Sequence, residues 1–177
     1  MKGFCGKLLE MDLTTGKKKE IHLPDSLVEK YLGGRGLGAR LLFDLLPAGT
    51  ASLSPENVLL FLTGPLTGST VTGSSKFVVV TKSPLTGGWC DSYSSGRVAV
   101  EIKKAGYDGL VIRGRSNHPC YLKIDEKGVE VRDAVKARIE PQIGEIDPGR
   151  KQCIDVAAPR SEEHTSELQS QFHLVCR

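Results

Sequence analysis

Two short segments near the start, Gly6–Leu13 (GKLLEMDL) and Lys17–Leu23 (KKKEIHL), read as strands, and Thr14-Thr15-Gly16 between them supplies turn chemistry. The chain therefore opens on a hairpin. Pro24-Asp25-Ser26 precedes a helical pattern with Leu27, Val28, Tyr31 and Leu32 on one side, and Gly33-Gly34 stands in the C-cap place. A second helix is predicted from about Leu37 to Leu46, ended by Pro47. Asn57–Leu62 (NVLLFL) and Lys76–Thr81 (KFVVVT) are continuous apolar runs of the length of buried strands. Val98, Ile102 and Ala105 recur at helical spacing. Ser94-Ser95-Gly96 is read as the N-cap region of that helix, Lys103-Lys104 as its last turn, and Gly106 lies just beyond.

Asp108–Arg113 (DGLVIR), Pro119–Ile124 (PCYLKI) and Val129–Arg132 (VEVR) close the pattern as strands, the last two joined by Asp125–Gly128 (DEKG) as a hairpin. Strands and helices do not alternate regularly, so the expected fold class is α+β, a mixed β-sheet with a few short helices. From Ala134 to Pro159 the pattern weakens and no complete closing element follows. The domain, residues 1–159, is expected to be truncated at its C-terminal end. The last eighteen residues, Arg160 to Arg177 (RSEEHTSELQSQFHLVCR), are polar and aperiodic. Arg160–Ser170 is what a common sequencing-library adapter encodes in one frame, and His173–Arg177 resembles its continuation. Residues 160–177 are therefore set aside as an adapter-derived tail.

Composition narrows the function. With 177 residues, 39% of them hydrophobic and 25% charged, the chain fits one soluble globular domain and is too short for a large multidomain enzyme. It lacks the run of about 18–20 apolar residues that a membrane span needs, and MKGFCGKLLEMDL lacks signal-peptide order, so a cytoplasmic location is expected and no membrane partner. Taking the two Arg and three Glu of the tail from 24 Lys+Arg and 21 Asp+Glu leaves 22 against 18, a net charge of +4. That balance suits a small anionic ligand, but the clustered Lys/Arg with interleaved aromatics of a nucleic-acid surface is missing. Cys5, Cys90, Cys120 and Cys153 lie tens of residues apart with no Cys-x-x-Cys, which gives neither a local zinc or iron-sulfur signature nor a disulfide framework. Each is read as a small buried hydrophobe. His22 and His118 are read as surface residues.

The chemistry-bearing segments are loops. In Thr63–Ser75 (TGPLTGSTVTGSS) Gly, Ser and Thr make up ten of thirteen residues, a composition that favours exposed backbone amides. Lys82–Gly88 (KSPLTGG) repeats Pro-Leu-Thr-Gly, which hints at a duplicated strand-loop unit. Gly68-x4-Gly73 approaches a phosphate loop, but position 74 is Ser and no helix is expected after Gly73, so both the charge and the dipole are missing. Gly34-Arg-Gly36-Leu-Gly38 follows a helix rather than a strand and is read as close helix packing, not as a dinucleotide fingerprint. The two loops and a serine-capped helix start at Ser94–Arg97 together form the candidate anion site, with Lys76 and Arg97 supplying charge and Asp91 available to a ring N–H or a metal-bound water. A Ser-His-Asp order, a His-Glu-x-x-His motif and paired carboxylates are all absent, so hard chemistry would come from a bound cofactor.

These segments, GKLLEMDLTTG, YLGGRGLGARLL, LSPENVLLFLTGPLTG, VVTKSPLTG, SSG, EIKKAGYDGLVI and VEVRDA, resemble in order and spacing the N-terminal domain of the aldehyde ferredoxin oxidoreductase family, from about Gly3 to Asp133. IGEIDPGRKQCIDVAAP looks like the approach to the family's next motif. The resemblance implies a saddle of mixed sheet on which two pterins lie, holding tungsten or molybdenum, with a magnesium ion bridging their phosphates. Lys76 falls where the family commonly has an Arg contacting the pterin, and keeps the charge without the bidentate fork. Tyr93 falls where a backbone carbonyl binds magnesium, and Ser95 where a Gly contacts the pterin; Ser94, Gly96 and Arg97 belong to the same cofactor-binding stretch. The departures suggest a divergent subgroup.

For the complete parent protein the resemblance implies oxidation of an aldehyde or related oxo substrate to the acid, with ferredoxin as electron acceptor. A 4Fe-4S cluster would be carried by later domains, since none of the four cysteines matches its ligands, and a homodimer is an admissible assembly. No catalytic residue is expected in this fragment, which alone should not turn over. The competing reading is a stand-alone phosphate- or nucleotide-binding module without redox activity.

Overall fold

The computed structural model describes residues 2–118, 120–125, 128–133, 155–157 and 172–176. The chain runs through strands β1 (Lys7–Asp12) and β2 (Lys18–His22), helices α1 (Asp25–Tyr31) and α2 (Gly34–Leu45), then strands β3 (Leu59–Thr63), β4 (Lys76–Lys82) and β5 (Trp89–Ser95). Helix α3 (Arg97–Lys104) and strands β6 (Gly109–Arg113), β7 (Cys120–Asp125), β8 (Gly128–Asp133), β9 (Asp155–Ala157) and β10 (Phe172–Cys176) follow. Six strands form one mixed sheet in the order β2-β1-β6-β3-β4-β5, in which only β1 and β6 are parallel. A second sheet has the order β8-β7-β10-β9. The expected α+β class with a mixed sheet is what forms.

Both faces of the central strands are covered, which is why their sequences are apolar without alternation. On one face Leu8, Leu60, Leu62, Val78, Val80 and Val111 pack against Val28 of α1 and Leu37, Leu41 and Leu42 of α2. On the other, Phe61, Phe77, Leu110 and Ile112 pack against Val98, Ala99 and Ile102 of α3 and against Leu122, Ile124 and Val129 of the second sheet. Lys103-Lys104 and Gly106 end α3 as expected. The β7–β8 pair turns between Asp125 and Gly128, also as expected.

Four local expectations are corrected. Helix α2 begins at Gly34, not near Leu37, and Leu32 rather than a glycine takes the left-handed C-cap of α1 at φ 55°. Ser94 and Ser95 are not a helix cap but the last residues of strand β5, which the sequence pattern does not predict, and α3 is capped by Gly96 with no side-chain hydrogen bond. Of the cysteines, Cys120 is buried, whereas Cys5 is exposed and Cys90 half-buried; Cys153 lies outside the described residues. Partial burial and the neighbouring Asp108 carboxylate push the Cys5 thiol above its ordinary range, away from a thiolate ligand. His22 and His118 are exposed, as expected.

Within the tail, β10 pairs antiparallel with β7 from Phe172↔Ile124 to Cys176↔Cys120. Such a contact is made by main-chain groups of an open strand edge and asks only for an extended segment, whatever its origin.

The Gly34-Arg-Gly36-Leu-Gly38 run serves close packing, as its sequence suggested. A β-carbon on Gly38 would stand 2.9 Å from Val80 Cγ2 and 3.1 Å from Leu62 Cδ1, both in a filled core. Replacement Gly38→Val should lower stability by about 1–3 kcal/mol, because overpacking there outweighs the small propensity gain of losing a helical glycine. A urea midpoint equal to that of the parent chain would show that α2 can lift off β4 at no cost.

Candidate functional site

The loop that follows β3 folds back on the start of β4. The Gly64 N–H donates to Thr67 Oγ1 (3.1 Å), the Thr67 N–H donates to the Gly64 carbonyl (3.2 Å), and Thr67 Oγ1 also donates to the Lys76 carbonyl (3.3 Å). Thr67, buried at 8% exposure, thus fixes the loop to the first residue of β4. On the other side the Gly96 N–H donates to the Ser75 carbonyl at 3.0 Å, tying the start of α3 to the same place. Between loop, strand and the start of α2 lies a cleft of about 180 Å³, lined among others by Gly34, Gly64, Ser74, Lys76 and Tyr93.

Register decides which residues meet there. Lys76 is opposite Ser95, Val78 opposite Tyr93 and Val80 opposite Asp91, and opposed residues of an antiparallel pair share a face. Lys76, Ser95, Tyr93 and Asp91 therefore stand on the α2 side of the β4–β5 ribbon. Ser94, opposite Phe77, belongs to the α3 side and is separated from that group. Gly96 and Arg97 mark the cap and first residue of α3, where Arg97 is exposed. The Tyr93 ring finds the room its size demands: it lines the cleft and stays 57% exposed.

Charge in the cleft has one sign. No carboxylate lines it, and the exposed Lys76 ammonium makes no ion pair or hydrogen bond among the described residues. Both oxygens of Asp91, read from its sequence position as available to a ligand, already have protein partners. One oxygen accepts the Trp89 indole N–H at 2.8 Å and the other lies 3.2 Å from Arg35 Nε. The role of Arg35 has no signal in the sequence, because its partner lies on a strand that the hydrophobic pattern does not reveal. Among the described residues no group of three His, Cys, Asp or Glu side chains could hold a metal ion.

The two Pro-Leu-Thr-Gly loops share a left-handed glycine, Gly68 at φ 83° and Gly87 at φ 68°, but differ in their hydrogen bonds: Thr67 N–H donates to the Gly64 carbonyl in the first, Thr86 N–H to Ser83 Oγ in the second. They do not meet: one precedes β4 and the other follows it, so seven residues of strand, about 20 Å, separate them. The first loop belongs to the cleft and the second does not.

Fold and cleft together define an α+β domain in which a mixed sheet, the loop after β3 and the start of α2 surround an open cleft holding Lys76 and the backbone of Gly34 and Gly64. The chain itself belongs to the aldehyde ferredoxin oxidoreductase family, its residues 8–150 matching the model "Aldehyde ferredoxin oxidoreductase, N-terminal domain". Over 136 residues it is 42% identical to a tungsten-containing aldehyde ferredoxin oxidoreductase of Pyrococcus abyssi, covering 77% of this chain and 22% of that protein. It is also 44% identical to an aliphatic sulfonate oxidoreductase, WOR-like subunit, of Pyrococcus furiosus, again over 77% of this chain and 22% of the relative. A Thermococcus kodakarensis tungsten-containing aldehyde ferredoxin oxidoreductase matches at 34% over 93% of this chain and 30% of its own length. Among solved structures, the active site complex BamBC of benzoyl coenzyme A reductase is similar at a TM-score of 0.72 and 40% identity, covering 75% of this chain and 20% of that one. The chain thus spans about a fifth of the length of these first relatives.

Proposed function

We propose that residues 1–159 form the N-terminal cofactor-binding part of an oxidoreductase that carries tungsten or molybdenum on a bis-pterin cofactor and oxidises an aldehyde or related oxo substrate to the acid. Ferredoxin would take the electrons. The observation that carries this reading is the unpaired Lys76 ammonium in a carboxylate-free cleft of a chain belonging to this family. The cleft fits the anionic end of such a group and not its whole: about 180 Å³ is below the roughly 300–1,000 Å³ of sites that enclose a ligand of drug size. The remainder would lie on the outer surface, where Leu66, Val71 and Tyr93 are 51–57% exposed.

When bound, the group would supply two-electron redox chemistry at its metal, which no side chain here can do. The protein's part is to bind and orient. Lys76 offers one ammonium to an anionic oxygen, a point contact instead of a planar fork. Ser95, on the same face, adds a neutral hydroxyl donor beside it. Gly34 and Gly96 present backbone without a β-carbon, and one added at either would meet nothing within 4 Å, so open space faces both. The Tyr93 carbonyl is the proposed magnesium ligand, on the edge strand of the sheet. Ser94, on the α3 side, contributes only through its backbone in this reading.

A 4Fe-4S cluster, a homodimer and a cytoplasmic location complete the proposal for the whole protein. Among the described residues no helix is long and apolar enough to cross a membrane. The stand-alone nucleotide-binding alternative has a specific observation against it: after Gly73 the chain enters strand β4 at Lys76, not a helix, so a phosphate loop has no dipole to use. The complete gene product, made anaerobically with tungstate and molybdate supplied, should contain one of the two metals together with pterin. Protein with neither metal nor pterin overturns the proposal.

A further inference from the structure

We infer that Arg35 is a second cationic anchor for the anionic end of the group held in the cleft, oriented for that task by Asp91; this rests on the cofactor reading above. Gly34, the residue before it, lines the cleft, and Asp91 precedes Tyr93, another lining residue, by one two-residue repeat on the same face of β5. The guanidinium sits 3.2 Å from Asp91 Oδ2 through its Nε, at 63% side-chain exposure. Arg35 makes no hydrogen bond and no other ion pair among the described residues, so the two terminal nitrogens of its fork remain unused.

Asp91 is the better-buried partner, at 16% exposure, and its other oxygen is already fixed by Trp89 Nε1 at 2.8 Å. The carboxylate therefore does not depend on Arg35 for its position, whereas Arg35 depends on the carboxylate. As a stabilising device the pair would be poor, since an ion pair this exposed contributes about 0–1 kcal/mol. As a positioning device it serves better: the ion pair through Nε keeps the guanidinium beside β5 and leaves the terminal nitrogens of its fork free for two oxygens of a phosphate-type group. Lys76 cannot do this, because an ammonium is a point charge without a plane. Together Lys76 and Arg35 outweigh Asp91 by one positive charge, the balance an anionic group requires.

The test uses the complete gene product purified with its cofactor. Pterin release is followed by fluorescence after oxidation, metal by mass spectrometry, and both as a function of ionic strength, for the parent, Arg35→Gln, Arg35→Lys and Asp91→Asn. Arg35→Gln should release pterin about tenfold faster, with a shallower salt dependence, and with a melting temperature close to the parent's. Arg35→Lys should recover the salt dependence but not the retention. Asp91→Asn should also release faster, although it removes a negative charge near an anion and simple electrostatics would give slower release. Unchanged release by Arg35→Gln, or slower release by Asp91→Asn, overturns the inference while leaving the cofactor reading intact. A parent protein that carries no pterin overturns both.

Discussion

Replacing Asp108 by Ala is expected to cost this chain about 3–5 kcal/mol of folding stability, read as a fall in the urea midpoint. Asp108 is 1% exposed at the entry to β6, and three donors converge on it. Lys103 Nζ lies 2.5 Å from Oδ1, the Cys5 N–H donates to Oδ1 at 3.0 Å, and the Gly6 N–H donates to Oδ2 at 2.7 Å. Lys103, itself only 10% exposed, also donates to the Gly3 carbonyl at 2.9 Å and lies 5.1 Å from the centre of the Phe4 ring. One carboxylate thus joins the segment before β1, the last turn of α3 and the start of β6, which makes the parallel β1–β6 pairing register-specific. Removing it leaves a desolvated ammonium and two amide N–H groups without their acceptor, and the penalty for such orphans exceeds the net worth of the bonds. The double replacement Lys103→Met with Asp108→Leu separates the two contributions. For an isolated buried ion pair that exchange is close to neutral, but here the Cys5 and Gly6 amides stay unsatisfied, so a loss of about 1–3 kcal/mol, smaller than that of Asp108→Ala, should persist. A loss below about 1 kcal/mol for Asp108→Ala would show that the carboxylate is not the clamp described.

The second large effect is expected on cofactor retention. Lys76→Ala in the complete gene product should weaken retention of pterin about 10- to 100-fold, the equivalent of one hydrogen bond to a charged group. Folding should not respond, since Lys76 is exposed and its side chain has no partner among the described residues; its stability change should stay within about 0.5 kcal/mol. Lys76→Arg should hold pterin at least as well as the parent, because the fork adds a second contact without losing charge. Equal retention by Lys76→Ala would remove the cleft from the proposed function, and an equal loss of stability would reassign Lys76 to the fold.

The elements that the sequence revealed are those whose own composition carries a signal. The runs NVLLFL and KFVVVT are buried on both faces and are apolar for that reason, and DGLVIR lies between β1 and β3 in the same condition. The helix over 97–104 was legible because its apolar positions keep helical spacing and Lys103, Lys104 and Gly106 punctuate its end. The family, too, could be read from the chain, since ordered motifs survive without any structure. Strand β5 could not. WCDSYSS is an edge strand, paired on one side only and largely exposed, so burial imposes no alternation and its serines imitate a helix cap.

That one omission explains most of what was misplaced in the site. Without β5 there was no register to put Lys76, Tyr93 and Ser95 on one face, to turn Ser94 to the other, or to engage Asp91 with Trp89 and Arg35. The sequence by itself determined the residue types that favour an anion, the apolar strands and the packing glycine at position 38, because these depend on local composition and backbone conformation. Only the tertiary structure decided which of the two Pro-Leu-Thr-Gly loops joins the site, that Asp108 clamps the start of the chain, and that Arg35 pairs with Asp91 on the face of β5 that carries Tyr93. Each of these is a contact between segments far apart in sequence, fixed by strand order and pairing register, and no local pattern encodes either.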